Sequence, residues 1–120
     1  MKIIGSNPLS DFLEDELKIK QSINRVLYSG NYILGNEVNK FEKEFAKFIG
    51  SKYCVTVANG TEALYLSLKS LEIGRGDEVI TTPYTWIITT NAIASVGATP
   101  VFVDVLEDYN IDPDEIEKAI

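Results

Sequence analysis

The stretch VTVANGTEALYLSL, residues 55–68, joins an apolar run to a helical pattern through Asn59, Gly60 and Thr61. The first amides of a helix lack partners inside it and point along a dipole that favours anions. Gly60 lets the backbone approach a ligand closely, and the Thr61 hydroxyl adds one more donor. Together these residues can seat a phosphate. Ordinary turn chemistry accounts for the same residues equally well, and spacing alone does not choose between the two. Neither common phosphate loop is present: no lysine follows Gly60, and no G-x-G-x-x-G occurs. The G-x-G of GRGDEV precedes a strand pattern, so it reads as a helix stop and turn.

Trp86 is the only tryptophan and sits just past the next strand end, in PYTWIITTNAI. Core packing is the usual fate of such a residue. Beside a phosphate seat, an aromatic face also suits a flat phosphorylated cofactor, and stacking of this kind contributes about 0.5–1.5 kcal/mol beyond area burial. Cys54 lies inside an apolar run and reads as a strand residue instead of a nucleophile. As the single cysteine of the chain it allows no internal disulfide, which fits a reducing, cytoplasmic setting. The sequence contains no histidine, which removes Ser-His, Cys-His and histidine-metal constellations together, so no metal site is expected. A net charge of -7 without a basic cluster argues against nucleic acid and anionic membranes as partners. The opening MKIIGSNPLSDF has too short an apolar run for a signal peptide, and no segment is long enough to span a bilayer.

Two parts must position these residues. Residues 1–50 read as helical. Ser10 and Asp11 are candidate caps for a helix carrying Phe12, Ile19, Ile23, Val26 and Leu27, which Gly30 ends. A second helix runs from about Asn36, with Val38, Phe41, Phe45, Phe48 and Ile49 on one face, to Gly50. Residues 51–120 alternate: a strand in YCVTVA (53–58), a helix over 61–73 before Gly74, a strand in EVITT, an apolar helix over 85–96, a strand in PVFVDV, and a helix opened by Asp112, Pro113 and Glu115. This α/β order, two N-terminal helices and a βαβαβ unit, implies a parallel sheet with its ligand site beyond the carboxyl ends of the strands. The last helix halts at Ile120 without a terminator, so the expectation is the front part of a longer polypeptide.

The ordered blocks GNYILGNEVNKFEKEFAKFIG, VANGTEALYLSL, IGRGDEVITTPYTWIITTNAIASVGATPVFVDV and YNIDPDEIEKAI resemble the start of the DegT-type sugar aminotransferases, pyridoxal 5′-phosphate (PLP) enzymes of the aspartate-aminotransferase fold. The resemblance covers all but about the first ten residues. It implies that residues 51–120 begin the PLP-binding large domain of a fold type I PLP-transferase. It implies that Gly60, Thr61 and Glu62 hold the PLP phosphate and that Trp86 stacks on the pyridine ring. Asn59 stands where serine is frequent. Tyr32 matches a segment near the active site and dimer interface, and Asp104 reads as a strand end or helix cap.

The same resemblance implies a homodimer that moves an amino group, often from glutamate, onto a nucleotide-linked keto sugar. The Schiff-base lysine and the carboxylate that pairs with the pyridine nitrogen are expected beyond Ile120, and no residue of this chain is expected to be catalytic. Lys40, Lys43, Lys47 and Lys69 lie on polar helical faces and Lys52 directly precedes a strand, so none matches that site. Without the lysine the chain alone is expected to be inactive. The alternatives are a small α/β module that binds a phosphorylated ligand, and a non-transaminating relative such as a dehydratase or regulator.

Overall fold

A computed structural model describes residues 6–120, so the first five residues of the opening segment lie outside it. The chain divides into two compact units, one up to Thr56 and one from Val57 to Ile120.

The first unit holds helices α1 (Pro8–Ser29) and α2 (Asn36–Ile49). α1 starts before the expected caps Ser10 and Asp11. Pro8 occupies its first turn, where a missing N–H costs nothing, and Asn7 is the flanking residue. Gly30 ends it in the left-handed conformation (φ 67°), as anticipated. α2 keeps its expected bounds. Gly50 turns the chain (φ 79°) so that its own amide reaches Lys47 O and the Ser51 amide reaches Ala46 O at 2.9 Å, satisfying two of the last carbonyls. Phe41 and Phe45 stack with ring centroids 5.3 Å apart, and Phe45 and Phe48 lie 6.4 Å apart, as their three- and four-residue spacing requires.

The expected strand over 53–58 does not form. The segment has no ladder partner among the described residues, although its residues suit a pleated surface. A strand needs a neighbour, and β-propensity cannot supply one. Glu42 ties the segment instead: one carboxylate oxygen accepts from both the Thr56 amide and its hydroxyl, each at 2.8 Å.

The second unit is the α/β part: α3 (Gly60–Ser70), β1 (Glu78–Thr81), α4 (Ile87–Ser95), β2 (Thr99–Phe102) and α5 (Pro113–Ala119). β1 and β2 pair in parallel, with Glu78 opposite Thr99 and Thr81 opposite Phe102. Only one βαβ unit is therefore paired, where the sequence suggested three strands. β2 also stops at Phe102, two residues short of Asp104. α3 ends at Ser70, three residues earlier than expected. Glu72, not Gly74, takes the left-handed position (φ 61°), and the amides of Glu72 and Ile73 close onto Lys69 O (3.0 Å) and Leu68 O (3.1 Å). Packing holds a residue with a Cβ there: Leu68 and Ile73 both pack against the core of Ile93, Val96 and Ala98, together with Tyr65 and Val79. The GRGD stretch is the turn it was read to be, with Asp77 Oδ2 accepting from the Gly74 amide at 2.8 Å.

Asp112 caps α5 by accepting from the Asp114 amide at 2.9 Å. Glu115, expected to help open this helix by completing a capping-box pattern with Asp112, does not reach back to the Asp112 amide. Glu115 pairs with Lys118 at 2.6 Å, and the Asp112 amide goes to Asp104 O at 3.0 Å. Among the described residues, no helix is long and apolar enough to cross a membrane.

Two outcomes follow from this packing. The α2 face leaves Phe48 85% exposed, and Leu71, Trp86 and Ile87 are also open to solvent. Residues 1–120 expressed alone should therefore bind a hydrophobic dye or associate on size-exclusion chromatography; a dye-silent, cooperatively melting monomer would count against these faces needing cover. The two Thr56 bonds hold the Glu42 carboxyl below its ordinary value of 4.5, backbone donor first. Their contribution is complete above that value and is lost as pH falls through the lowered one. The Thr56 amide-proton shift should titrate with a midpoint below 4.5, and Glu42→Ala should abolish that titration. A pH-independent shift in the parent chain would show that the clamp does not form.

Candidate functional site

Asn59 delivers the chain to α3 in an extended conformation (φ -168°, ψ 178°), and its Oδ1 accepts from the Glu62 amide at 3.0 Å. Its carbonyl accepts from the Ala63 amide at 3.0 Å. Of the first amides of α3, those of Gly60 and Thr61 thus have no partner among the described residues. Asn59 is a true helix cap, as its residue type permits. The amide of Glu62 is already committed, so the seat offers two amides and the Thr61 hydroxyl instead of three amides.

Gly60 explains itself only from outside. A Cβ built on it meets nothing within 4 Å, and its φ is not in the left-handed range. Neither conformation nor packing in this chain asks for glycine. An approaching ligand would, because a Cβ beside the free amides would hold it off. Glu62 sits in the first turn, where its charge favours the helix dipole, and it is exposed.

Trp86 precedes α4 as its N-cap residue (φ -63°, ψ 134°). An indole cannot accept from the first amides as Ser, Thr, Asp or Asn would, so helix stability does not explain the choice. It is 76% exposed, so core packing within this unit does not explain it either. The loop that carries it follows β1 at its carboxyl end. Leu64 of α3, Thr81 of β1 and Thr89 of α4 line one mostly apolar cavity of about 180 Å³. Ser67 and Leu68 of α3 and Val79 and Ile80 of β1 line the same cavity, so the three elements pack side by side along it.

The other candidates have plainer surroundings. The Tyr32 hydroxyl donates to Leu27 O at 3.2 Å and closes the turn after α1, in the first unit. Beside it, Arg25, Ser29, Asn31 and Glu37 line a cavity of about 250 Å³, and the Arg25 guanidinium pairs with Glu37 at 3.0 Å. Asp104 is not at the strand end. Its Oδ1 accepts from the Val105 amide at 2.8 Å, and its carbonyl holds the entry to α5. Lys52 and Lys69 rest over the rings of Tyr53 (5.1 Å) and Tyr65 (5.9 Å), and Lys40 lies 3.8 Å from Glu44. Cys54 is a half-buried free thiol. Among the described residues no cluster could hold a metal ion. One contact had no sequence signal: Tyr84 and Tyr109 stack with centroids 5.2 Å apart.

The sequence profile of the DegT/DnrJ/EryC1/StrS aminotransferase family matches residues 14–120. The chain belongs to this family. It is 52% identical over 104 residues to a dTDP-3-amino-3,6-dideoxy-alpha-D-galactopyranose transaminase from Aneurinibacillus thermoaerophilus, an alignment covering 86% of this chain and 29% of that protein. Its fold superposes on DesV of S. venezuelae, solved in complex with a ketimine intermediate, with a TM-score of 0.91 at 42% identity, over 95% of this chain and 31% of the other. NtdA from Bacillus subtilis, solved with bound cofactor PMP, superposes with a TM-score of 0.83 at 33% identity, over 92% and 25%. The chain thus spans about a third or less of the relatives it matches. The fold is the N-terminal region of the PLP-dependent aminotransferase fold.

The cap and the seat make separable predictions. Asn59→Ala should destabilise by about 1 kcal/mol through loss of the cap. Gly60→Ala should leave stability unchanged or raised, because its Cβ enters open space. Chemical denaturation of the protein carrying each substitution reads this out. A marked loss of stability in Gly60→Ala would mean that the glycine serves the fold and not a ligand.

Proposed function

We propose that this chain is the N-terminal part of a PLP-dependent aminotransferase that transfers an amino group, often from glutamate, to a nucleotide-linked keto sugar. Residues 51–120 then begin its large, cofactor-binding domain, after a helical segment over 1–50. The observation that carries the proposal is the free N-terminus of α3. The Gly60 and Thr61 amides have no partner among the described residues, and no Cβ stands in front of them. A phosphate monoester fits these donors in charge and in hydrogen-bonding number.

In this reading the Gly60 and Thr61 amides and the Thr61 hydroxyl donate to phosphate oxygens. Glu62 keeps its amide on Asn59 and contributes to the seat through the helix turn it belongs to. The Trp86 indole covers one face of the ring and keeps water from it. PLP, when bound, supplies an electron sink for breaking bonds at the amino-bearing carbon. In this reading Lys40, Lys52 and Lys69 are not the lysine that holds it covalently, since Lys40 lies beside Glu44 and Lys52 and Lys69 rest against tyrosine rings. A homodimer is part of the proposal, supported by the exposed phenylalanines of α2. The lone free cysteine supports a cytoplasmic setting.

The test uses the full-length polypeptide that carries this chain. Thr61→Val should weaken PLP binding by about tenfold or more, the loss of one hydrogen bond to a charged group. Trp86→Phe should retain most affinity and Trp86→Ala should not. Equilibrium dialysis gives the affinities, and amino transfer from glutamate to a nucleotide-linked keto sugar gives the activity. Unchanged affinity in both Thr61→Val and Trp86→Ala would remove this seat from the enzyme.

A further inference from the structure

Trp86 leaves β1 on a five-residue loop, 82–86, that must hold an exposed indole in one place. The loop's own bonds are few. Thr82 Oγ1 accepts from the Tyr84 amide at 3.1 Å, the Thr85 and Thr89 hydroxyls lie 3.4 Å apart, and Trp86 O accepts from the Thr89 amide at 3.0 Å. All of these tie the loop to itself or to the first turn of α4. An aromatic contact reaches from it to another segment, the stack of Tyr84 on Tyr109, with rings inclined at 24°.

Tyr109 is held for that contact by a built turn. Val105 and Ile111 form an antiparallel bridge. Inside it the Leu106 amide donates to Asn110 O at 2.8 Å, and the Tyr109 amide donates to Leu106 O at 2.9 Å. The Asp108 carboxylate accepts from the Asn110 amide (3.0 Å) and from its side-chain Nδ2 (2.9 Å). Just past the turn residues Glu107 and Asp108, Tyr109 takes φ 66°, a conformation that residues with a Cβ avoid and that Asn or Gly fill more readily. A tyrosine at such a position is explained by what its ring touches, and its ring touches Tyr84.

We propose that Tyr109 is a positioning residue for Trp86: stacked on Tyr84, it clamps the loop 82–86 so that the indole stands fixed at the start of α4, beyond the carboxyl end of β1. The part of this proposal that concerns ligand affinity rests on the cofactor role given to Trp86 above. The clamp itself does not. Tyr109 touches no reacting group and acts through Tyr84 and Thr85, the one residue that separates Tyr84 from Trp86. Loss of the stack frees the loop between its anchors at Thr82 and Thr89, and the indole then samples orientations that a bound ring would have to select among.

Asn is the informative substitution, because it keeps the left-handed turn and removes the ring. In the full-length protein, fluorotryptophan placed at position 86 reports the indole's environment by fluorine NMR without cofactor. Tyr109→Asn should shift or broaden that resonance and weaken PLP binding by about 3- to 10-fold, with the thermal midpoint little changed. Tyr109→Phe keeps the stack and should match the parent in both readouts. Tyr84→Ser breaks the stack from its other side, at ordinary backbone angles, and should reproduce the Asn result even if Tyr109→Asn fails to fold. A fluorine resonance unchanged in Tyr109→Asn or in Tyr84→Ser overturns the clamp. If the resonance moves while PLP affinity does not, Trp86→Ala separates the causes. A loss of affinity in Trp86→Ala shows that the clamp's effect does not reach the ligand and overturns that part of the proposal; no loss overturns the cofactor role of Trp86 and leaves the clamp supported by the resonance alone.

Discussion

The first turn of a helix contains donors that the helix itself cannot satisfy, and the second unit is arranged around one such set. α3 begins with an Asn cap that accepts from one amide and leaves those of Gly60 and Thr61 open. α5 begins with Asp112, which accepts from Asp114, while the Asp112 amide is taken by Asp104. The two N-termini use the same kind of cap to different ends. At α5, a neighbouring segment folds back onto the entry. At α3, nothing in the unit approaches, and a glycine keeps the space in front of the donors clear. An uncovered helix start is tolerable in water, because solvent satisfies it, and it is a ready anion site once solvent leaves.

That arrangement depends on α3 being held firmly at its other end. Leu68 and Ile73 clasp the chain reversal at Glu72 and pack against Ile93, Val96 and Ala98. Tyr65 and Val79 join the same core, so α3, β1 and α4 share one set of contacts. The left-handed glutamate carries a backbone cost of roughly 1–2 kcal/mol, and partial burial of the Leu68 and Ile73 side chains against the core works against that cost. The rigidity that fixes the direction of the open amides thus comes from the far end of the helix.

These relations were unevenly legible in the sequence. Helix stops at Gly30 and Gly50 and the Asp112-Pro113 start were readable because each depends on the residue's own backbone preference. The strand over 53–58 was misread because its composition reports a suitable surface and not a partner. The end of α3 was misplaced for a related reason. Glycine is the usual left-handed residue, and Gly74 lies close by, yet packing of Ile73 against the core fixed the reversal at Glu72. At the site, the α3 junction was visible as a pattern, whereas the division of labour among its amides was not. Asn59 takes one donor and leaves two, which only the cap geometry reveals. The Tyr84–Tyr109 stack lay beyond any local pattern, since it joins positions 25 residues apart that share no periodicity.

Trp86 shows where local stability and chemistry part company. A cap residue such as Ser or Asp at that position would add about 1 kcal/mol to α4, and an apolar side chain turned inward would add more by burial. The chain has neither: the indole is exposed and the first amides of α4 are uncapped by it. The departure is confined to one residue and is surrounded by compensation. Thr82 closes the turn before it, Thr85 lies against Thr89, Ala92 and Ile93 bury the middle of the helix, and Tyr109 stacks on the loop from outside. A site that breaks a local rule while its neighbours restrain it is the pattern expected when a side chain is kept for what it will contact. The open amides of α3 meet the same description, because each is affordable only on a framework that does not depend on it. Trp86 and the α3 start are thus two exceptions of one kind in a single unit, and this shared character, more than either residue alone, supports the proposal that both are kept for one ligand.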